Sequence, residues 1–458
     1  MAGLERMSLS VRSTVVLKEM IIFVVMKYLR VCLSVLLCGI LCACSHDTFR
    51  SAVEIHDAVK VGWNLGNALS AYNGGGRFMM EEEGQGSLET QLDWHQPYST
   101  KAMIDSVKKA GFNAIRVPVR WYPHFKMVDG KLEMDPAWMD RVKEVIDWCM
   151  EDDMITLLNL HDELWLESHP FYADSTEVLD KERQLWTVIA NRFKDYDDRL
   201  VFQGTNEVHI MGDWGPVSEE KGEMQNVFNQ TFVDAVRATG GNNLRRNLMV
   251  QLYYCDPVTH ASHFRVPKDV VDNHLLLEIH LYRPSTYVHI GAEKFWGAEY
   301  FEDVFKEPAA DPSELGPMAG FMFAGVTKER IEMHLENKKA HPEITDEMQL
   351  EKTYADIAAS LKPFGLPVFL TESGASRWIE VDAPSSQRND RMKASRAYFY
   401  EYYIKTARKN GIAPFVWDNG EFGTGVETFG LFDRHRDMYP DRLTIEGIMR
   451  GAKVPFGE

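Results

Sequence analysis

Residues 99–119 read STKAMIDSVKKAGFNAIRVPV, and the fold follows from how that stretch is punctuated. Met103, Ile104, Val107 and Ala110 recur at helical spacing, Gly111 supplies a stop, and residues 114–119 form a short β-branched run. The stretch therefore predicts a helix capped by Ser99, a left-handed glycine turn and a buried strand. Arg116 interrupts the strand, and a charge inside a strand covered on both faces needs a partner or a function.

The same unit repeats outward in both directions. Further strand candidates lie at 61–65, 155–160, 200–204, 248–252, 275–280, 367–371 and 414–417, which makes eight in all. Helical patterns separate them; one opens at Asp135-Pro136 and carries Met139, Val142, Ile146 and Cys149 on one face. Eight β/α units without an interdomain linker predict a single closed (β/α)₈ barrel over residues 59–458, and a doubly wound sheet is the weaker alternative. Between His280 and Glu372 the crossover is much longer than the others. Residues 283–345 read as an inserted loop region over the active-site face.

The chain has 458 residues, 50 Lys and Arg against 68 Asp and Glu, and a net charge of −18. Such a surface repels phosphates, so a nucleic-acid partner is excluded. With 45% apolar residues the chain can bury a large core. Residues 1–43 are read as a secretory leader whose start is Met26: Lys27 and Arg30 precede an apolar run too short for a membrane span. Leu41-Cys42-Ala43-Cys44 resembles a lipobox, which makes Cys44 the expected lipid anchor, 44–58 a linker, and the product a secreted, outer-membrane-anchored lipoprotein. The anchor is then the only membrane contact. Without the leader's five basic and two acidic residues the net charge becomes −21, a surface suited to neutral polymers. Of six cysteines only Cys149 and Cys255 remain in the body, so no disulfide framework is expected. Gly74-Gly75-Gly76 lacks the lysine and helix of a phosphate cradle.

Barrel active sites lie at the C-terminal ends of the strands. There the sequence sets Arg116, His161, Asn206 with Glu207, His280 with Tyr282, Glu372 and Trp417. Two converging carboxylates suit glycosidic-bond cleavage, which needs a proton donor and a nucleophile or base. Glu207 is read as the acid, its proton held by burial and a negative neighbour. Glu372 is read as the nucleophile, kept ionised by Arg116 and by the Tyr282 hydroxyl. Asn206 is assigned to the sugar 2-hydroxyl and Trp417 to an apolar floor. No metal or cofactor is called for.

These residues resemble glycoside hydrolase family five, the cellulase-like retaining barrel family. The resemblance rests on Gly62-Trp63-Asn64-Leu65-Gly66-Asn67, Gly111-Phe112-Asn113-Ala114-Ile115-Arg116-Val117-Pro118, Asn159-Leu160-His161 and Gly204-Thr205-Asn206-Glu207. It continues through His280-Leu281-Tyr282, Thr371-Glu372 and Trp417-Asp418-Asn419-Gly420, with Phe429-Gly430-Leu431. It implies Glu207 as acid/base and Glu372 as nucleophile, with Arg116, His161, Asn206, His280, Tyr282 and Trp417 completing the site. Two positions depart from the pattern: Asp162 stands where many relatives carry a second histidine, and Ser373-Gly374 follow the nucleophile.

The substrate expected is a neutral β-1,4-glucan, cellulose-like, mixed-linkage or xyloglucan, cut internally by a monomer. A β-mannanase or exo-β-glucosidase of the same fold is the alternative. A metal-dependent hydrolase would draw on His161, Asp162, Glu163 and His169, or on His260 and His263. A non-catalytic glycan binder would use Trp63, Trp94, Trp121, Trp165, Trp214, Trp378 and Trp417.

Overall fold

The computed structural model describes residues 49–73, 83–210, 213, 217–306, 326–382 and 386–457. The chain divides into two units, Met1–Phe49 and Arg50–Glu458, and the second holds nearly every described residue. The leader, Cys44 and Gly74 to Gly76 lie outside the described residues.

Eight parallel strands close into a barrel: β1 (Gly62–Asn64), β2 (Ala114–Val117), β3 (Ile155–Asn159), β4 (Leu200–Gln203), β5 (Leu248–Gln251), β6 (Leu275–His280), β7 (Val368–Glu372) and β8 (Ile412–Val416). Each pairs with its sequence neighbour, and β1 closes on β8 with Trp63 opposite Val416. All eight strand expectations fall on a real strand, and the closed order rejects the doubly wound sheet.

Strand alternation builds two layers inside the barrel. The lower one is apolar: Ala114, Leu157, Val201, Met249, Leu276, Phe369 and Phe415 pack together. Two residues further along the same strands the inward set turns polar, as Arg116, Asn159, Gln203, Gln251, Glu278 and Thr371, all fully buried. Residues of opposite parity, such as Ile115, Leu158, Phe202 and Leu277, face the helices. Burying one such side chain contributes about 1.5–3 kcal/mol, so the outer layer holds the barrel together while the polar inner layer is free to do chemistry.

Helix α1 (Ala52–Ala58) carries a reciprocal cap in which Ser51 Oγ accepts from the Glu54 amide and Glu54 accepts from the Ser51 amide at 2.7 Å. Ala52, Ile55 and the following Val59 pack into the lower barrel layer. The stretch assigned to a linker from sequence therefore includes a helix that plugs the barrel floor.

Helix α2 (Lys101–Ala110) is capped by Thr100 rather than Ser99, because the Thr100 hydroxyl is the one that accepts from the Met103 amide. Gly111 ends it in the left-handed region at φ 111°. Helix α3 (Pro136–Glu151) starts as expected with Asp135 as cap. Helices α4 (Ser175–Arg192) and α5 (Glu219–Ala238) cover β4 and β5. The β5–β6 crossover is described throughout and holds only two short 3₁₀ turns, Tyr253–Cys255 and Ala261–His263.

The insertion is more ordered than a loop. It includes α6 (Lys328–Ala340) and meets α7 (Asp346–Leu361) through a buried ion cluster: Lys338 Nζ lies 2.6 Å from Glu293 and 2.8 Å from Asp346. Phe295, Tyr300 and Val304 pack against Met392 of α8 (Gln387–Lys409), beside the barrel. Its first turn borders the active-site mouth, where the His289 ring lies 4.8 Å from that of Tyr282. Residues 307–325 lie outside the described set. Helix α9 (Arg442–Gly451) packs on α8, with the Gly447 backbone close against Ala397.

Candidate active site

Arg116 is the hub of the polar layer. Its Nε donates to Gln203 at 2.7 Å, and Nη1 donates to Glu372 Oε1 at 2.6 Å and Asn64 Oδ1 at 3.1 Å. Nη2 donates to Asn206 Oδ1 at 2.8 Å and faces Glu278 Oε1 at 3.4 Å. A planar five-donor fork reaches side chains from four other strands at once, which explains why this strand carries Arg.

Glu372 ends β7 and is almost wholly buried. Its second oxygen accepts from the Tyr282 hydroxyl at 3.1 Å. Burial works against its charge, but His280 and Arg116 outweigh burial and hold the carboxyl down at about 2. Burial and then Glu372 push the Tyr282 hydroxyl well above the usual phenol range, so Tyr282 remains a donor. A buried, ionised carboxylate held in place by two donors is what an attacking nucleophile requires.

Glu207 follows β4 and leans into the open bowl with 27% of its side chain exposed. Its close partner is His280 Nδ1, 2.6 Å from Oε1. The sequence expected burial and a negative neighbour; the structure leaves Glu207 part-exposed against an imidazole, with Glu372 as the negative neighbour. Glu207 and Glu372 bring carboxylate oxygens within 4.8 Å of each other, and His280 Nδ1 lies 2.6 Å from Glu207 and 3.7 Å from Glu372. A register shift between Ile279 and His280 sets His280 opposite Glu372 across the β6–β7 seam. Direct attack by a carboxylate goes with a separation of about 5–5.5 Å, whereas a water-mediated reaction needs about 6.5–9.5 Å.

His280 is lifted to about 10, against the cost of burial, by the Glu372 charge and by hydrogen bonds to Glu207 and Glu278. His161 goes the other way, because burial dominates and lowers it. Its Nδ1 sits 3.2 Å from the Asn159 amide, and its ring stacks on Trp417 at 5.7 Å and 18°. Gly66 makes room for that indole, since a Cβ there would stand 2.8 Å from Trp417 Cη2. Asn206 is buried beside Glu207, held by Arg116. All eight predicted site residues thus gather in one bowl.

Four members of the bowl were given no role from sequence: Asn64, Gln203, Glu278 and Thr371. Asn64 donates to the Thr371 and Val416 carbonyls at 2.8 and 3.0 Å and stitches the seam. Their signal is a polar residue within a strand or at its last position, where an apolar run would normally continue. Asp418, quoted above as part of a motif, closes the same seam by accepting from Trp63 Nε1 at 2.9 Å and the Leu431 amide at 3.0 Å.

The alternative sets do not assemble. Glu163 is buried and accepts from Trp165 Nε1 at 2.6 Å and from the Trp121 amide. His169 is exposed, and His260 and His263 lie on the β5–β6 crossover. Among the described residues, the converging His, Cys and carboxylate sets both contain His280 and are already knit by hydrogen bonds around Arg116. Trp63, Trp121 and Trp165 are core residues. Trp378 has Lys294 over its face at 3.3 Å, Trp94 packs beside Arg120, and Trp214 is outside the described residues.

A closed (β/α)₈ barrel that presents one buried, ionised carboxylate and one open carboxylate across a sugar-sized gap defines a glycoside hydrolase. The profile described as Cellulase (glycosyl hydrolase family 5) matches residues 80–423, and the chain belongs to that family. It is 31% identical over 415 residues to Endoglucanase A of Clostridium longisporum, covering 89% of this chain and 67% of that protein. A GH5-4 broad specificity endoglucanase from Ruminococcus champanellensis with bound cellotriose superposes with a TM-score of 0.69 at 30% identity, covering 88% of this chain and all of the other. A Bacteroides ovatus GH5 xyloglucanase in complex with a XXXG heptasaccharide gives a TM-score of 0.68 at 28% identity, covering 90% and 78%.

Proposed function

We propose that the protein is a retaining, endo-acting β-1,4-glucanase. The observation that carries this reading is the short gap between Glu372, buried and ionised, and Glu207, open to the bowl. Glu372 attacks the anomeric carbon while Glu207 protonates the departing glycosidic oxygen. Glu207 then takes a proton from the water that releases the glycosyl-enzyme, and the configuration is retained. Asn206, fixed by Arg116, contacts the sugar 2-hydroxyl, and Trp417 floors the pyranose. His280 and Arg116 hold Glu372 charged before attack, so the site is organised ahead of the chemistry.

The preferred substrate is a neutral plant-type β-glucan, with a branched glucan of the xyloglucan kind first. The cellotriose held by the Ruminococcus champanellensis relative and the heptasaccharide held by the Bacteroides ovatus one support this choice. The enzyme acts as a monomer, and the lipobox-like Leu41-Cys42-Ala43-Cys44 supports a secreted lipoprotein tethered through Cys44 to the outer membrane.

The test is a panel of soluble polysaccharides (xyloglucan, mixed-linkage glucan, carboxymethyl cellulose and mannan), with product sizes and the anomer first formed read by NMR. Internal cutting of a β-1,4-glucan with the β-anomer appearing first is expected. Glu207→Ala and Glu372→Ala should each lose several orders of magnitude in turnover while staying folded. An α-anomer first, mannan as the best substrate, or near-normal activity in either variant refutes the assignment.

A further inference from the structure

Glu278 is a third carboxylate in the polar layer, and catalysis as described above gives it nothing to do. It is fully buried beneath the bowl, out of reach of a sugar. Three donors converge on its Oε1, Gln203 Nε2 at 2.6 Å, Arg116 Nη2 at 3.4 Å and the Thr371 hydroxyl, and His280 Nε2 faces it at 3.1 Å. Oε2 has no hydrogen-bond partner, so a proton placed there would be a buried donor without an acceptor, at a cost of about 1–3 kcal/mol. Glu278 is therefore an acceptor, and the Nε2 that faces it carries hydrogen.

That fixes the other side of the ring. With Nε2 committed to Glu278, Nδ1 is the only exchangeable nitrogen of His280, and it lies 2.6 Å from Glu207 Oε1. One proton fits between those two atoms. The local charges agree: Glu207, Glu278 and Glu372 face Arg116 and His280, so an imidazolium plus Arg116 leaves one carboxylate charge uncompensated, and one proton on Glu207 or Nδ1 decides where it sits. The other polar groups near His280 are the Cys255 thiol from the β5–β6 crossover, the Tyr282 hydroxyl bonded to Glu372, and Glu372 itself at 3.7 Å.

We propose that Glu278 is a positioning residue that locks His280 in the Nε2–H form and makes Nδ1 the proton store for Glu207. The inference rests on the hydrolase reading and adds to it where the acid's proton waits between steps. During glycosylation the proton passes from Nδ1 to Glu207 and on to the departing oxygen, which leaves with the electron pair of the broken C–O bond; His280 is left neutral, with Nε2–H still bonded to Glu278. During deglycosylation the attacking water gives its proton to Glu207 and then to Nδ1. The cycle closes with no outside reactant. The arrangement follows the general rule that an imidazole is oriented by the hydrogen bond its second nitrogen makes.

The test uses ¹⁵N-histidine-labelled wild-type protein and Glu278→Gln. In the wild type, NMR should show His280 Nε2 protonated throughout the accessible pH range while Nδ1 alone titrates. In Glu278→Gln, kcat/KM on polysaccharide should fall roughly 10–100-fold with KM nearly unchanged, and the basic limb should move to lower pH. The same variant should keep most of its kcat/KM on 2,4-dinitrophenyl β-cellobioside, whose leaving group needs no proton. Equal losses on the two substrates, an unmoved pH profile, or an Nδ1–H tautomer in the wild type overturns the proposal. If Glu278→Gln fails to fold, the wild-type tautomer decides alone. A wild type inert on every β-glucan and aryl glucoside rejects the hydrolase reading instead, and the NMR result still judges the tautomer.

Discussion

Replacing Arg116 with lysine keeps the charge and removes the fork, so it separates electrostatics from geometry. The guanidinium reaches Gln203, Asn64, Glu372, Asn206 and Glu278, whereas an ammonium has three donors on a single atom. At least two of the five contacts must go, in a position with no solvent access. Hydrogen bonds to charged groups are worth about 1.5–3 kcal/mol each, so the loss is about 3–6 kcal/mol. With an unfolding entropy near 2.1 cal/mol/K per residue, this lowers the melting temperature of the Arg50–Glu458 unit by about 3–7 °C. Glu372 and Asn206 also lose their fixed orientation, and kcat/KM should fall at least ~100-fold. Calorimetry and initial rates on a soluble β-glucan measure both quantities. A variant within about 1 °C of wild type and within fivefold of its activity would show that charge alone suffices, and the hub description of Arg116 would be wrong.

Gly66→Ala places a methyl 2.7 Å from the Asp418 carbonyl and 2.8 Å from Trp417, so backbone and indole must shift; roughly 10–100-fold lower kcat/KM by steady-state rates and a lower melting temperature by calorimetry are expected. Lys338→Met strands Glu293 and Asp346 in the buried cluster, which should cost about 3–5 kcal/mol and bring earlier proteolytic cutting within 326–345, read by limited proteolysis and mass spectrometry. The pH dependence of stability has a definite sign for each group. His280 is raised from 6.5 to about 10, so its contribution is complete below 6.5 and disappears as pH rises through 10. Glu372 is lowered from 4.5 to about 2, so its contribution is present above 4.5 and is lost as pH falls through 2. Melting temperatures should therefore drop between pH 7 and 10, and much less so in His280→Asn; an equal drop in both proteins contradicts the assignment.

The sequence by itself determined the strands, the closed barrel and the identity of the eight bowl residues, because each rests on a local signal. Strand alternation, a glycine stop and a charge ending an apolar run are all visible within ten residues. The helix cap slipped by one position because Ser99 and Thr100 are chemically equivalent and only backbone geometry chooses between them. Residues 52–58 read as linker because a seven-residue helix carries little periodic signal; its stability comes from packing on the barrel floor. Only tertiary structure decided what each carboxylate is. Glu207, Glu278 and Glu372 are the same side chain, and the partners that distinguish them arrive from strands tens to hundreds of residues away. His280 and Arg116 hold Glu372 ionised, Glu207 stands part-exposed at the mouth, and Gln203, Arg116 and Thr371 donate to Glu278 beneath His280. Such differences arise from burial and charge at distances of a few ångströms, which chain order does not encode.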